Sequence, residues 1–361
     1  MGQGAVSMKH VCLLGTSPES RGGIGTVVRG YIEDIHLNGY EYDHIITHKD
    51  RCAGAKLAIA GTALAKCLVS MRPDCFDLVH VHSAFGASFT RSIPFIRLAS
   101  QRGLPVINHI HADDWEAFYG AASAGKQRLI AETYGRCSKV IALSQEWADT
   151  LSAILPEQKI AILENFTPLF EEGFSPDRLG KTVVFMSRLE KIKGCDILPD
   201  ICEAVIRRIP DVVFLICGEG SMRDVMMSEF EARGIGGNVK FLGWIDTKRK
   251  ADVLKQSSLF LLPSYGEGMP MCVLEAMGLG LPVVSTRVGG IPQIVESGEN
   301  GFLLEPGDMW SIADAIVKIL EDENLYAVMS KKSKMRAERH SMRSYAEQLD
   351  AIYNEVLGGK A

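Results

Sequence analysis

Short runs rich in β-branched and aliphatic residues alternate along this chain with longer stretches whose apolar positions recur at helical spacing. That alternation predicts repeated strand–helix units and therefore parallel sheets. Six strands are expected in the first half, at 10–15, 42–47, 78–82, 106–110, 140–143 and 160–163. A second set starts afresh at 182–186 and continues at 212–217, 239–242, 259–263, 282–286 and 301–304. Between the sets, Asn165 to Gly180 is a polar connector bearing proline and glycine, which reads as a domain boundary. The expected fold class is α/β, with two Rossmann-like units facing one another over residues 1–170 and 171–340. Beyond them, 341–361 should hold an amphipathic helix, with Tyr345, Leu349, Ile352, Tyr353 and Val356 on one face.

Composition supports a folded two-domain protein: 361 residues, 47% hydrophobic and 23% charged. Nine cysteines occur without a C-x2-C pair, which argues against a structural zinc site and a disulfide framework and fits a reducing cytoplasm. No uncharged apolar run reaches 18 residues, so a transmembrane helix is not expected. Residues 1–7 lack a signal-peptide core, and Val6 breaks the myristoylation pattern. The net charge of −5 hides an asymmetry. From Lys49 to Arg102 eight basic residues face only Asp50, Asp74 and Asp77. Two readings stay open for 49–102: an ordinary solvated surface, or a patch for an anionic acceptor or for peripheral contact with the inner face of the cell membrane. Nothing points to a nucleic-acid partner.

Chemistry concentrates between Tyr265 and Met277, where Glu267 and Glu275 lie eight positions apart. Glu267 falls in a Gly/Pro-bounded loop, and Glu275 falls inside a short apolar helix that Pro270 opens and Gly278, Gly280 and Pro282 close. So apolar a helix is expected to turn Glu275 into a polar cleft. Its glycine-flanked start, at Gly268 and Met269, offers free N–H groups and a positive dipole end to a phosphate. Carboxylates for hydroxyls beside an anion seat suggest a ligand that is part sugar, part phosphate.

Three further loops follow predicted strands. Arg21–Thr26 is glycine-rich and could approach an oxyanion through Gly23, or could be a plain strand-to-helix turn. It is not a dinucleotide fingerprint, which disfavours a dehydrogenase. Ser187–Gly194 carries Arg188 and Lys193, two cations suited to a diphosphate, with Lys191 expected to face solvent. Gly218 follows one strand, and Trp244 and Ile245 follow the next, where Trp244 could equally be a core aromatic. The histidines come as His80-Val81-His82 and His109-Ile110-His111, each pair on one face of a strand or its exit. Spacing dictates no third ligand, so no metal is expected. Asp113 and Asp114 could hold an acceptor hydroxyl or be surface acids.

The spacing of Glu267 and Glu275 resembles the E-x7-E motif of the retaining glycosyltransferases of family 4, which have the GT-B fold. The flanking text is similar too: Leu262-Pro263-Ser264, Gly280-Leu281-Pro282-Val283-Val284-Ser285-Thr286 and Gly289-Gly290-Ile291-Pro292. The resemblance covers about 9–357. It implies two facing domains with an interdomain cleft, a terminal helix crossing back onto the first domain, and metal-independent transfer without a cofactor, the nucleotide sugar being a substrate. It assigns the donor's phosphates to Arg188 and Lys193, the ribose to Glu275, and the sugar to Glu267 and His111. Gly23, Gly218, Trp244, Ile245, Gly268 and Met269 are left to line the donor. The implied partners are a nucleotide-sugar donor and a glycan or lipid-linked acceptor, in bacterial surface polysaccharide assembly. Sugar, base and linkage stay open. A GT-B nucleotide-sugar epimerase and a catalytically silent sugar-nucleotide-binding protein are the alternatives.

Overall fold

A computed structural model of the chain describes residues 8–20, 22–112, 115–167 and 180–358. Residues 1–7, Arg21, Asp113, Asp114 and the connector's 168–179, each given a reading above, lie outside the described residues. The chain divides into two compact units, Met1–Asn165 with Met342–Ala361, and Phe166–Ser341.

Unit 1 runs β1 (Lys9–Thr16), α1 (Gly23–Glu33), β2 (Tyr40–His48), α2 (Ala53–Ser70), β3 (Leu78–Ser83), α3 (Ala87–Gln101), β4 (Val106–Ile110), α4 (Ala124–Gly135), β5 (Lys139–Ala142), α5 (Gln145–Ser152) and β6 (Ile160–Ile162). Its six strands are all parallel, in the order β2-β1-β3-β4-β5-β6. Val11–Leu14 and Leu78–Val81 are buried throughout, as strands covered on both faces must be. The last helix of the chain, α13 (Met342–Gly358), belongs to this unit. Tyr345 meets the hydroxyl of Tyr31 at 2.6 Å, Tyr353 meets Nδ1 of His80 at 2.7 Å, and Glu355 pairs with Lys139 at 2.7 Å. Tyr345, Leu349, Ile352 and Tyr353 are buried, the helical stripe read from the sequence.

Unit 2 runs β7 (Thr182–Met186), α6 (Leu198–Ile206), β8 (Val213–Cys217), α7 (Arg223–Ala232), β9 (Val239–Gly243), α8 (Thr247–Lys255), β10 (Leu259–Leu262), α9 (Met271–Gly278), β11 (Val283–Thr286), α10 (Ile291–Ile294), β12 (Gly301–Leu304), α11 (Met309–Glu321) and α12 (Glu323–Glu338). The sheet is again parallel, ordered β12-β11-β10-β7-β8-β9. The fold class read from the pattern is borne out: both sheets form where two sets of strands were expected, with ends shifted by two residues at most.

Helix α2 departs from its neighbours. By length and composition it is apolar enough to cross a membrane, yet it carries Lys56 and Lys66, and only 11% of it is buried. Leu57, Leu68 and Val69 stand exposed, while Ala63 and Cys67 anchor it to the core. The Arg102 guanidinium donates to the carbonyls of Cys67, Leu68 and Met71, satisfying acceptors that a helix end leaves open.

Candidate active site

In a doubly wound sheet, the crevice for ligands opens at the carboxyl ends of the strands where chain order reverses. In unit 2 that point lies between β7 and β10. The loops leaving these two strands carry Lys193 and Glu267, and the two side chains meet. Lys193 Nζ stands 2.9 Å from Glu267 Oε1 and donates to the Gly266 carbonyl at 3.2 Å. Ser264 Oγ donates to the same carboxylate oxygen at 2.7 Å. Both charged side chains are under one tenth exposed, so either alone would be a buried, uncompensated charge.

One helical turn further, Glu275 is held by a residue that the sequence reading missed. Lys250 of α8 reaches both its oxygens at 2.8 Å. Glu275 is buried, as are all the α9 residues from Met271 to Gly278 except Cys272. Burial, with the Glu267 and Glu275 carboxylates nearby, pushes the Cys272 thiol up to about 12, so Cys272 stays a thiol between the two acids. Three cations stand together in Lys248-Arg249-Lys250. Only the placement of α8 against α9 shows which of them faces Glu275.

The surrounding loops interlock through backbone. Gly218 has φ 141°, and a Cβ there would fall 1.8 Å from the Ser187 carbonyl, so only glycine lets the β8 exit lie on the β7 loop. Glu190 accepts from the Ser221 hydroxyl at 2.6 Å and from its N–H at 3.2 Å, which holds its carboxyl below the usual range. Gly289, at φ 53°, would drive a Cβ to 1.8 Å from the Glu267 carbonyl, and Gly290 N–H donates to Gly268 O at 2.6 Å. Arg188 is exposed on this rim and Lys191 points to solvent beside Asp196 at 3.9 Å. Trp244 is 39% exposed, which removes the core-aromatic alternative, while Ile245 beside it is buried. Gly268 and Met269 lie buried just before α9, whose first N–H groups have no helical acceptor.

In unit 1, the turn after β1 is glycine-built, but the position that sterics demand is Gly25, whose Cβ would stand 2.2 Å from Ser20 O. Gly23 is exposed at the first position of α1. His111 follows β4, its N–H bonded to Ser83 O at 2.7 Å and its Nε2 facing His82 Nδ1 at 2.9 Å. Burial pushes its imidazole down to about 3. The histidine pairs that the sequence left separate sit on neighbouring strands, with His82 in register with His109. They bring together His80, His82 and His109, a third ring that spacing alone did not dictate.

Two family models match adjoining stretches of the chain: "Glycosyltransferase Family 4" over 61–169 and "Glycosyl transferases group 1" over 171–336. The N-acetyl-alpha-D-glucosaminyl L-malate synthase of Bacillus anthracis is 30% identical over 297 residues, 78% of this chain and 75% of that protein. The chain belongs to glycosyltransferase family 4. A further relative, the 2-deoxystreptamine N-acetyl-D-glucosaminyltransferase of Niallia circulans, is 33% identical over 145 residues, 40% of this chain and only 37% of that protein's length. Among solved structures, Anabaena HepE in complex with UDP and glucose superposes with a TM-score of 0.76 at 19% identity, over 96% of this chain and all of that one. This likeness bears on fold, and the fold is GT-B.

Proposed function

We propose that this chain is a glycosyltransferase that moves a hexose-type sugar from a nucleoside diphosphate sugar to a hydroxyl acceptor with retention at the anomeric carbon. One observation carries the reading: two buried glutamates, Glu267 paired with buried Lys193 and Glu275 paired with half-buried Lys250, stand by the switch point of the unit 2 sheet. Lys193, Arg188 and the start of α9 meet the diphosphate and stabilise the charge it gains on leaving. Glu275 keeps lone pairs beyond the two that Lys250 engages, and these accept the ribose hydroxyls. Glu267 is engaged at Oε1, so Oε2 is the oxygen that meets a sugar hydroxyl.

The bond from C1 to the phosphate oxygen breaks, the bond from C1 to the acceptor oxygen forms on the same face, and the acceptor's proton passes to the departing phosphate. Cys272, held as a thiol, offers no thiolate to intercept C1. His111 is assigned to the sugar by resemblance. Gly23, Gly218, Trp244, Ile245, Gly268 and Met269 are assigned to the donor in the same way. The side-chain cations answer the diphosphate charge, so transfer needs no Mg²⁺ or Mn²⁺.

The complex of HepE with UDP and glucose supports a uridine donor as the first to try, and the names of the two curated relatives support an N-acetylglucosaminyl group beside glucose. We place the acceptor among glycans or lipid-linked glycans of a bacterial surface polysaccharide, used by a cytoplasmic enzyme docked at the membrane through the 49–102 face. Incubation with UDP-glucose, UDP-N-acetylglucosamine and GDP-mannose, with and without a glycan acceptor library, tests the reading. Acceptor-dependent nucleotide release with an anomeric signal matching the donor by NMR is expected. Interconversion of nucleotide sugars without an acceptor would make it an epimerase, and an inverted product would remove retention.

A further inference from the structure

The histidines on β3 and β4, with His111 just past β4, leave a chemical account open. His80, His82 and His109 are at most 5% exposed. Nε2 of His80, Nε2 of His82 and both ring nitrogens of His109 are buried without a hydrogen-bond partner. Such groups are rare in a folded core, because each buried polar atom left unpaired keeps the cost of its lost hydration. One ligand atom from each of the three rings can be chosen so that all lie within 4.8 Å of one another.

The nitrogens that do have partners follow a pattern. His80 faces the Tyr353 hydroxyl with Nδ1, at 2.7 Å, and His82 faces His111 Nε2 with Nδ1, at 2.9 Å. In His80 and His82 Nδ1 is engaged and Nε2 is left over, while His109 keeps both ring nitrogens unpaired. Metal-binding histidines show this arrangement, since the N–H away from the ion is held by an acceptor that fixes the tautomer. We propose that His80, His82 and His109 bind one divalent transition cation of the zinc class, inside the sheet of unit 1.

His80 and His82 stack, 19° apart at 4.5 Å, and His82 and His109 are tilted, 36° apart at 5.1 Å. Ligation therefore turns them about Cβ–Cγ, a soft torsion for histidine, until their lone pairs converge. Three protein ligands leave a fourth tetrahedral position for water. The ion staples β3 to β4 and, through His80 and Tyr353, orders the α13 contact. No step of sugar transfer passes through it, and the inference stands apart from that reading.

The test uses the full chain with Zn²⁺ alone and with Co²⁺ alone. Equilibrium dialysis followed by elemental analysis is expected to return one ion per chain. Cobalt is expected to give visible bands of a tetrahedral nitrogen site without a thiolate charge-transfer band. His109→Phe, which keeps a flat ring, should weaken zinc binding at least tenfold, whereas Cys52→Ser with Cys75→Ser should leave it unchanged. Should His109→Phe fail to fold, the wild-type cobalt spectrum decides alone. Less than one ion per chain, a thiolate band, undiminished binding by His109→Phe, or loss of binding in the cysteine variant would each overturn the proposal.

Discussion

Arg188 and Lys193 sit five positions apart in one loop, yet the structure gives them different surroundings. Arg188 is exposed, while Lys193 is buried against Glu267 and the Gly266 carbonyl. Arg188→Ala should cost only ligand affinity: loss of a charge-assisted contact worth about 1.5–3 kcal/mol, tenfold or more in nucleoside diphosphate binding, with an unchanged melting temperature. Lys193→Ala should lose affinity and stability together, because Glu267 would be left buried and unpaired at a cost of about 3–5 kcal/mol. Calorimetry with the free diphosphate and a melting curve for each variant check this. Equal melting temperatures for the two would contradict the burial argument. The glutamates divide in the same way. Glu275→Gln should weaken binding of the free diphosphate, whereas Glu267→Gln should chiefly lower turnover, as expected when a contact orients the reacting group. Identical behaviour of both in both assays would undo the assigned roles.

At the scale of elements, α2 invites the sharpest test. An exposed apolar helix that carries Lys56 and Lys66 and is flanked by Arg51 and Arg72 has the makeup of a segment lying in a membrane interface. Sedimentation with anionic vesicles should show association that falls as salt rises. Leu57→Glu with Val69→Glu should abolish it at every salt concentration. No association at low salt would leave α2 a solvated surface helix. The elements themselves were legible because buried parallel strands write themselves as continuous apolar runs, as Val183–Met186 and Leu259–Leu262 do. Glu267 and Glu275 could be picked out because their spacing spans a loop and a helix. Lys250 could not, since a cation's partner depends on how two helices pack and not on local pattern. The meeting of His82 with His109 was half legible: each pair showed its own alternation, but register between strands is not written in either one.

For the whole molecule, the residues proposed for the donor, other than Gly23 and His111, fall in unit 2, so a nucleotide should leave its mark there. Hydrogen exchange with saturating UDP should slow at 187–194 and 265–276 and leave β5 and β6 unchanged. Protection confined to unit 1 would relocate the donor site. The division of the chain also bears on how it is made. Unit 1 is discontinuous in sequence, since α13 is delivered only after every strand of unit 2. On the ribosome, β1 to β6 emerge first, but the faces of Tyr31 and His80 await Tyr345 and Tyr353. Unit 2, contiguous from Phe166 to Ser341, can close while the earlier sheet still lacks its cover. The part synthesised first is therefore the part completed last, and a nascent chain stalled before Met342 would hold an uncovered sheet face open to chaperones after unit 2 is finished.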